Sequence, residues 1–297
     1  MKYRTVKRTA AFLLACLMWG TLFISAASAD TEMRRTVIGA DLTEEQIAAT
    51  YSEFGFARGT VPELRLTNAE ERTLLEGHLD SALIGTKAMS CVYLELLPKQ
   101  SGMTVSVKNI SWCTPEMYIG ALTTAGITDA KVLVAAPFSV SGTAALAGIY
   151  KAYEDMTGQS LDDAAKSVST QELTVTGELA NEIGSEDSTS IVNDLKLILD
   201  QTANMTDEQL RETIQKIAEK YHVTLTETQI RQLMELCRSM ERLNPGELAQ
   251  RVEDVESTLE KVAEAKDQVV GFFQAVRDFF ASIRDFFERV NNFFHGR

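Results

Sequence analysis

The chain has 297 residues, 45% of them hydrophobic and 24% charged, with 42 acidic against 29 basic side chains and a formal charge of −13. That balance excludes a phosphate-tracking nucleic-acid surface, which needs clustered Lys and Arg, and simple electrostatic docking on anionic lipid. The length suits one large domain or two ordinary ones, and the apolar fraction is enough for a core.

Residues 1–29 read as a secretory signal peptide. Lys2, Arg4, Lys7 and Arg8 make a basic start, Ala10 to Ile24 is apolar, and Ala27-Ser28-Ala29 is a small-residue cleavage site. The expected location is extracytoplasmic, in the cell envelope or the medium. Removing the leader takes four bases and no acid, leaving a mature charge of about −17.

Residues 30–157 alternate strand and helix, which predicts an α/β or α+β domain with a small sheet. Arg35 to Gly39 reads as a strand. Thr43-x-x-Gln46 and Thr67-x-x-Glu70 are capping boxes that open helices through about Phe54 and near 68–79, with a Gly-Pro-containing loop from Gly55 to Leu66 between them. Alternating apolar residues at 89–97 and 103–111, around Gln100-Ser101-Gly102, predict a hairpin with Leu96 opposite Val105 and Leu94 opposite Val107. Thr114-Pro115-Glu116 starts a helix that ends at Gly126. Lys131 to Ala136 is a short apolar strand, and Pro137 to Gly142 leads into an Ala-rich helix reaching about Met156.

Residues 158–243 read as an all-helical region. Ser, Thr and Gly break residues 160–184 into short helices, 188–203 is helical, and Thr206-x-x-Gln209 and Thr226-x-x-Gln229 cap two more helices. Asn244-Pro245-Gly246-Glu247 then opens a long amphipathic helix over 244–297. Its seam runs with 4-3 spacing through Leu248, Val252, Val255, Leu259, Val262, Lys266, Val269, Phe273, Val276, Phe280, Ile283, Phe287, Val290 and Phe294. Phe272, Phe279, Phe286 and Phe293 each add a second ring beside the seam. Such a wide aromatic stripe needs a surface to cover it. Three readings stay open: a coiled coil or bundle with itself or an envelope partner, a membrane-surface helix, or packing on the protein's own helical region.

Among residues that could carry chemistry, Val140-Ser141-Gly142-Thr143 stands out as a strand-to-helix junction. Free N–H groups at a helix start can hold an anion, with Ser141 and Thr143 hydroxyls as further donors and Gly142 allowing close approach. The plainer reading is that Ser141 caps the helix. His78, His222 and His295 fall near helix ends, and Asp162-Asp163 and Glu186-Asp187 suit helix starts. No catalytic residue, metal ligand set or cofactor motif is assigned. Three cysteines remain in the mature chain, Cys91, Cys113 and Cys237. In the expected hairpin register Cys91 faces Ile110, about 10 Å short of Cys113 and beyond the ~7 Å reach of a disulfide. All three are expected as free thiols.

Several segments of the first half resemble a known family: Ile84-Gly85-Thr86-Lys87-Ala88, Asn109-Ile110-Ser111-Trp112, Met117-Tyr118, Ala121-Leu122 with Ala125-Gly126-Ile127, and above all Ala136-Pro137-Phe138-x-Val140-Ser141-Gly142-Thr143-Ala144-Ala145-Leu146. They are similar to the YpuA-like family of secreted proteins from Gram-positive bacteria, over about Val37 to residue 243. That family is a domain of unknown function. The resemblance implies export and a single-family architecture, and it supplies no catalytic residues. The resulting expectation is a secreted envelope-associated protein, non-enzymatic, that attaches or self-assembles through its Phe-rich helix. The alternative is an enzyme or a small-ligand or anion-binding protein with its site at Val140–Thr143.

Overall fold

A computed structural model describes residues 33–259. The leader, its cleavage site and the eight paired phenylalanines of the terminal stripe lie outside the described residues.

Five strands form one mixed sheet in the order β2-β1-β3-β5-β4: β1 Arg34–Gly39, β2 Glu63–Leu66, β3 Cys91–Leu96, β4 Met103–Ile110 and β5 Ala130–Val140. Each edge is a parallel pair joined through a helix. At one edge, α1 (Glu44–Phe54) links β1 to β2. At the other, α4 (Pro115–Ala125) links β4 to β5. Both helices end on a left-handed glycine, Gly55 and Gly126. β3 runs antiparallel to both β1 and β5 at the centre.

This topology overturns the expected hairpin. β3 and β4 exist, but β5 lies between them, so Val132 faces Leu94 on one side and Val105 on the other. The apolar faces were read correctly and the pairing was not, because the loop after β3 spans two strand spacings, about 10 Å, instead of one. β5 is also longer than expected. Pro137 and Phe138 belong to it, and it runs to Val140. The segment ending at Leu66, expected as loop, closes with β2.

Period-two alternation separates the two faces of the sheet. Val37, Val92, Leu94, Val132 and Val134 face the larger core, with Tyr118, Leu122, Leu146 and Ile149 from α4 and α5 (Thr143–Thr157). Ile38, Cys91, Tyr93 and Ala135 face Ile47, Tyr51 and Phe54 of α1. On that side Tyr51, Phe54 and Phe56 form an edge-to-face and stacked ring cluster. Helices α2 (Asn68–Leu75) and α3 (Ser81–Ile84) flank α5.

The helical region stacks behind α4. It begins with α6, a single 21-residue helix from Asp163 to Ile183 where short broken pieces were expected. Its hydroxyls do not compete with the helix. Ser169 and Thr170 donate to the Lys166 carbonyl, and Thr174 donates to Thr170. Gly177 gives passage to a neighbour, since a Cβ there would come within 2.3 Å of the Trp112 ring. Then follow α7 (Ser185–Leu197), α8 (Leu199–Thr202), α9 (Asp207–Lys220) and α10 (Glu227–Met240). α9 and α10 start on the predicted capping boxes. A second core of Ile191, Leu195, Leu210, Ile214, Leu233 and Leu236 lies among them.

Residues 245–259 form α11. Asn244 Oδ1 accepts from the Glu247 N–H as its cap, at 3.2 Å. The first seam residues, Leu248, Val252 and Val255, are buried on the molecule itself, and Thr258 lies against the Gly102 backbone. No described helix is long and apolar enough to cross a membrane.

Candidate functional site

The junction between β5 and α5 is held from behind by its carbonyls. The Val140 oxygen accepts from the Ser111 N–H at 2.9 Å and the Ser141 oxygen from the Cys113 N–H at 3.1 Å. The Gly142 oxygen accepts from the buried Tyr118 hydroxyl at 2.6 Å. Gly142 takes φ +98°, and a Cβ there would sit 2.5 Å from an Ile110 methyl. The position is therefore closed to other residues on both conformational and steric grounds.

Ser141 does not cap α5. The cap residue is Gly142, which supplies no side chain to the first N–H groups of the helix. Ser141 Oγ instead donates to the Leu83 carbonyl of α3 at 3.0 Å. Thr143 Oγ1 donates to Glu71 Oε1 at 2.8 Å, and the two hydroxyls are 3.3 Å apart. Asn68 Nδ2 donates to the other carboxylate oxygen of Glu71 at 3.1 Å.

The structure thus brings the three expected residues together with a carboxylate about seventy positions earlier in the chain. They line a cavity of about 250 Å³, whose walls are Glu71, the Ala82–Gly85 turn, Lys87, Met89, Ser90 and the Val140–Ala144 junction. Glu71 is only 1% exposed and has no ion-pair partner among the described residues. Burial pushes its carboxyl above the ordinary value of 4.5, and Asp41 adds to the rise. The bonds from Thr143 and Asn68 and the charge of Arg72 pull the other way. Ser90 is 4% exposed, and its hydroxyl has no hydrogen-bond partner among the described residues. Lys87 is exposed at the rim.

The sequence reading missed Glu71, Lys87 and Ser90. Glu71 carried a legible mark: it precedes the buried Leu75 by four residues, so an acid stands on the apolar side of α2. Ser90 carried none, since a serine at a strand start is ordinary.

Other polar groups have structural explanations. His78 Nε2 lies 3.0 Å from Ser167 Oγ, a contact invisible in the sequence. Burial lowers the His78 pKa, so the ring is neutral at pH 7. Among the described residues no carboxylate is hydrogen-bonded to it, and neither member of this Ser–His pair lines the junction cavity. Asp162 caps α6 through Ala165 N–H at 3.0 Å, and Glu186 and Asp187 lie in the first turn of α7. Cys91, Cys113 and Cys237 are free and buried. The register offered as the reason was wrong: Cys91 pairs across to Ala135 and sits on the α1 face, whereas Cys113 belongs to the opposite core.

The family described as Protein of unknown function (DUF1002) matches residues 38–262. The chain belongs to this family. It is 34% identical over 244 residues to the uncharacterized protein YpuA of Bacillus subtilis (strain 168), covering 80% of this chain and 83% of that protein. No solved structure matches the chain significantly. The family match begins within β1 and extends past the described part of α11, so the cavity, the second core and all of the larger core except Val37 lie inside it.

Proposed function

We propose that this protein binds a small polar ligand at the β5–α5 junction. One observation carries the reading: Ser90, whose hydroxyl is buried without a hydrogen-bond partner among the described residues, and the buried Glu71 both belong to the wall of the same 250 Å³ cavity. A buried hydroxyl without a partner costs about 1–3 kcal/mol, and a ligand atom would satisfy it. The volume falls just below the ~300–1,000 Å³ of drug-sized pockets, which favours a ligand of few heavy atoms. Thermal unfolding against a panel of amines, amino acids, carboxylates and phosphate tests the proposal. A saturable stabilisation that Ser90→Ala weakens supports it, and no response to the panel contradicts it.

A second reading concerns where the protein works, and a separate observation favours it. Leu248, Val252 and Val255 open a seam whose spacing continues in the sequence to Phe294. We propose an exported protein, with residues 1–29 as leader, held in the envelope by residues 272–294. The stripe would join a second copy, an envelope protein or a membrane surface. Fractionating cells into medium, wall and membrane, with and without residues 272–297, tests it. Identical distributions would contradict an attachment role.

A further inference from the structure

The helix start at the junction would ordinarily favour an anion. Here a buried carboxylate already stands beside it. Glu71 lies against the first turn of α5 through Thr143 Oγ1, which donates to it at 2.8 Å. A second negative charge in the same 250 Å³ would meet this carboxylate across a low-dielectric wall. The hydroxyls point the same way. Ser141 donates its proton to Leu83 and Thr143 donates to Glu71, so both turn lone pairs toward further partners. The wall therefore offers hydroxyl acceptors beside a buried acid that has no cation within ion-pair distance among the described residues.

We infer that the ligand of this cavity presents a cationic amine to Glu71, and that the site rejects anions. This rests on the small-ligand reading above and deepens it. A primary ammonium has three N–H donors, which suit Glu71, Thr143 Oγ1 and Ser141 Oγ together. It also supplies the counter-charge that a buried carboxylate lacks. The Ser90 hydroxyl then serves the ligand's other polar atom. The rival occupant is internal: Lys87, exposed at the rim of the same cavity, could fold its own ammonium inward.

The test is an isothermal or NMR titration of the full-length chain with ethylammonium, ethanol, acetate and phosphate. Ethylammonium is expected to bind at least tenfold more tightly than acetate or phosphate. Glu71→Gln should abolish that preference while the protein remains folded, and Lys87→Met should tighten ethylammonium several-fold. If acetate or phosphate binds as well as ethylammonium and Glu71→Gln leaves this unchanged, the cavity is a ligand site but not an amine site. If ethanol alone binds, and binds the Gln variant equally, the cationic requirement also fails. If none of the four gives a saturable response, the amine inference and the small-ligand reading fall together.

Discussion

Glu71 ties stability to pH. Its carboxyl is raised in the fold, so the native state holds this proton more tightly than the unfolded chain does. The stability that the proton contributes is fully present below the ordinary carboxyl value of 4.5 and is lost as pH rises through the raised folded value. The groups setting that value are Asp41 and Arg72, with the hydroxyl of Thr143 and the amide of Asn68. Cys113 and Tyr118 also lie within reach of its charge, and both stay protonated at neutral pH because burial raises them. Glu71→Gln cannot ionise. Its stability relative to the natural protein should therefore increase as pH rises above about 4.5 and level off above the raised folded value in urea titrations, and a difference constant with pH would contradict this. At Gly142, substitution by Ala meets both a forbidden φ and the Ile110 methyl. A loss of about 2–4 kcal/mol is expected from the two effects together, measurable by the same titrations. Burial raises the thiols of Cys91 and Cys237 to about 11 and of Cys113 to about 12. Alkylation of the folded protein should be slow, whereas denaturation without reductant should expose all three to labelling.

At the scale of elements, the joint between α4, α6 and α7 depends on a buried ion pair. Lys196 Nζ reaches Glu172 Oε1 at 2.5 Å and donates to the Gly120 carbonyl at 3.1 Å. Thr124 donates to the other Glu172 oxygen. Lys196→Met leaves the Glu172 charge without its partner and should cost roughly 3–5 kcal/mol. Combining it with Glu172→Gln removes the unpaired charge and should recover most of that loss. Thermal unfolding of the two variants decides the matter, and equal losses would show that the charge pair is not what holds the joint. The same elements show what a sequence makes legible. Helix starts were readable because a capping box is local: Thr43, Thr67, Thr206 and Thr226 all cap as expected. Strand partners were not, because the choice between Val105 and Val132 as neighbour of Leu94 depends on a strand that comes about thirty residues later. Continuity of α6 was hidden for a related reason. Its serines and threonines look like helix breakers until the facing elements bury them. At the cavity, Ser141, Gly142 and Thr143 were legible as contiguous residues. The residues that make the junction a cavity arrive from α2, from α3 and from the segment leading into β3.

Over the whole molecule, the two cores are bound into one body by α6 and α11. Leu173 of α6 packs in the first core, and Val175 and Leu179 in the second. α11 begins on the second core at Leu248 and reaches Gly102 beside the sheet. The apolar stripe that follows in the sequence should govern solution behaviour. Each buried Phe contributes roughly 1.5–3 kcal/mol, so even part of eight is enough to hold an association. The full mature chain should associate or bind detergent with little dependence on salt. Replacing Phe273, Phe280 and Phe287 with Glu should release a folded monomer, as judged by light scattering. A compact monomer before replacement that loses cooperative unfolding afterwards would mean that the stripe packs on its own body. The mature N-terminus should be Asp30 by mass spectrometry, and an intact Met1 would contradict export with cleavage.

The ligand cavity is the centre of this account, and Ser90 is its most direct probe. A hydroxyl kept for a ligand contributes nothing to the unliganded fold, whereas a structural hydroxyl does. Ser90→Ala should therefore be at least as stable as the natural protein in urea unfolding, by up to about 1 kcal/mol. At the same time, its stabilisation by saturating 2-aminoethanol, whose hydroxyl would meet Ser90 while its ammonium meets Glu71, should fall several-fold. A variant that loses more than about 1 kcal/mol and responds to the amine as the natural protein does would show that Ser90 is an ordinary structural residue, and would contradict the assignment of this cavity as a ligand site.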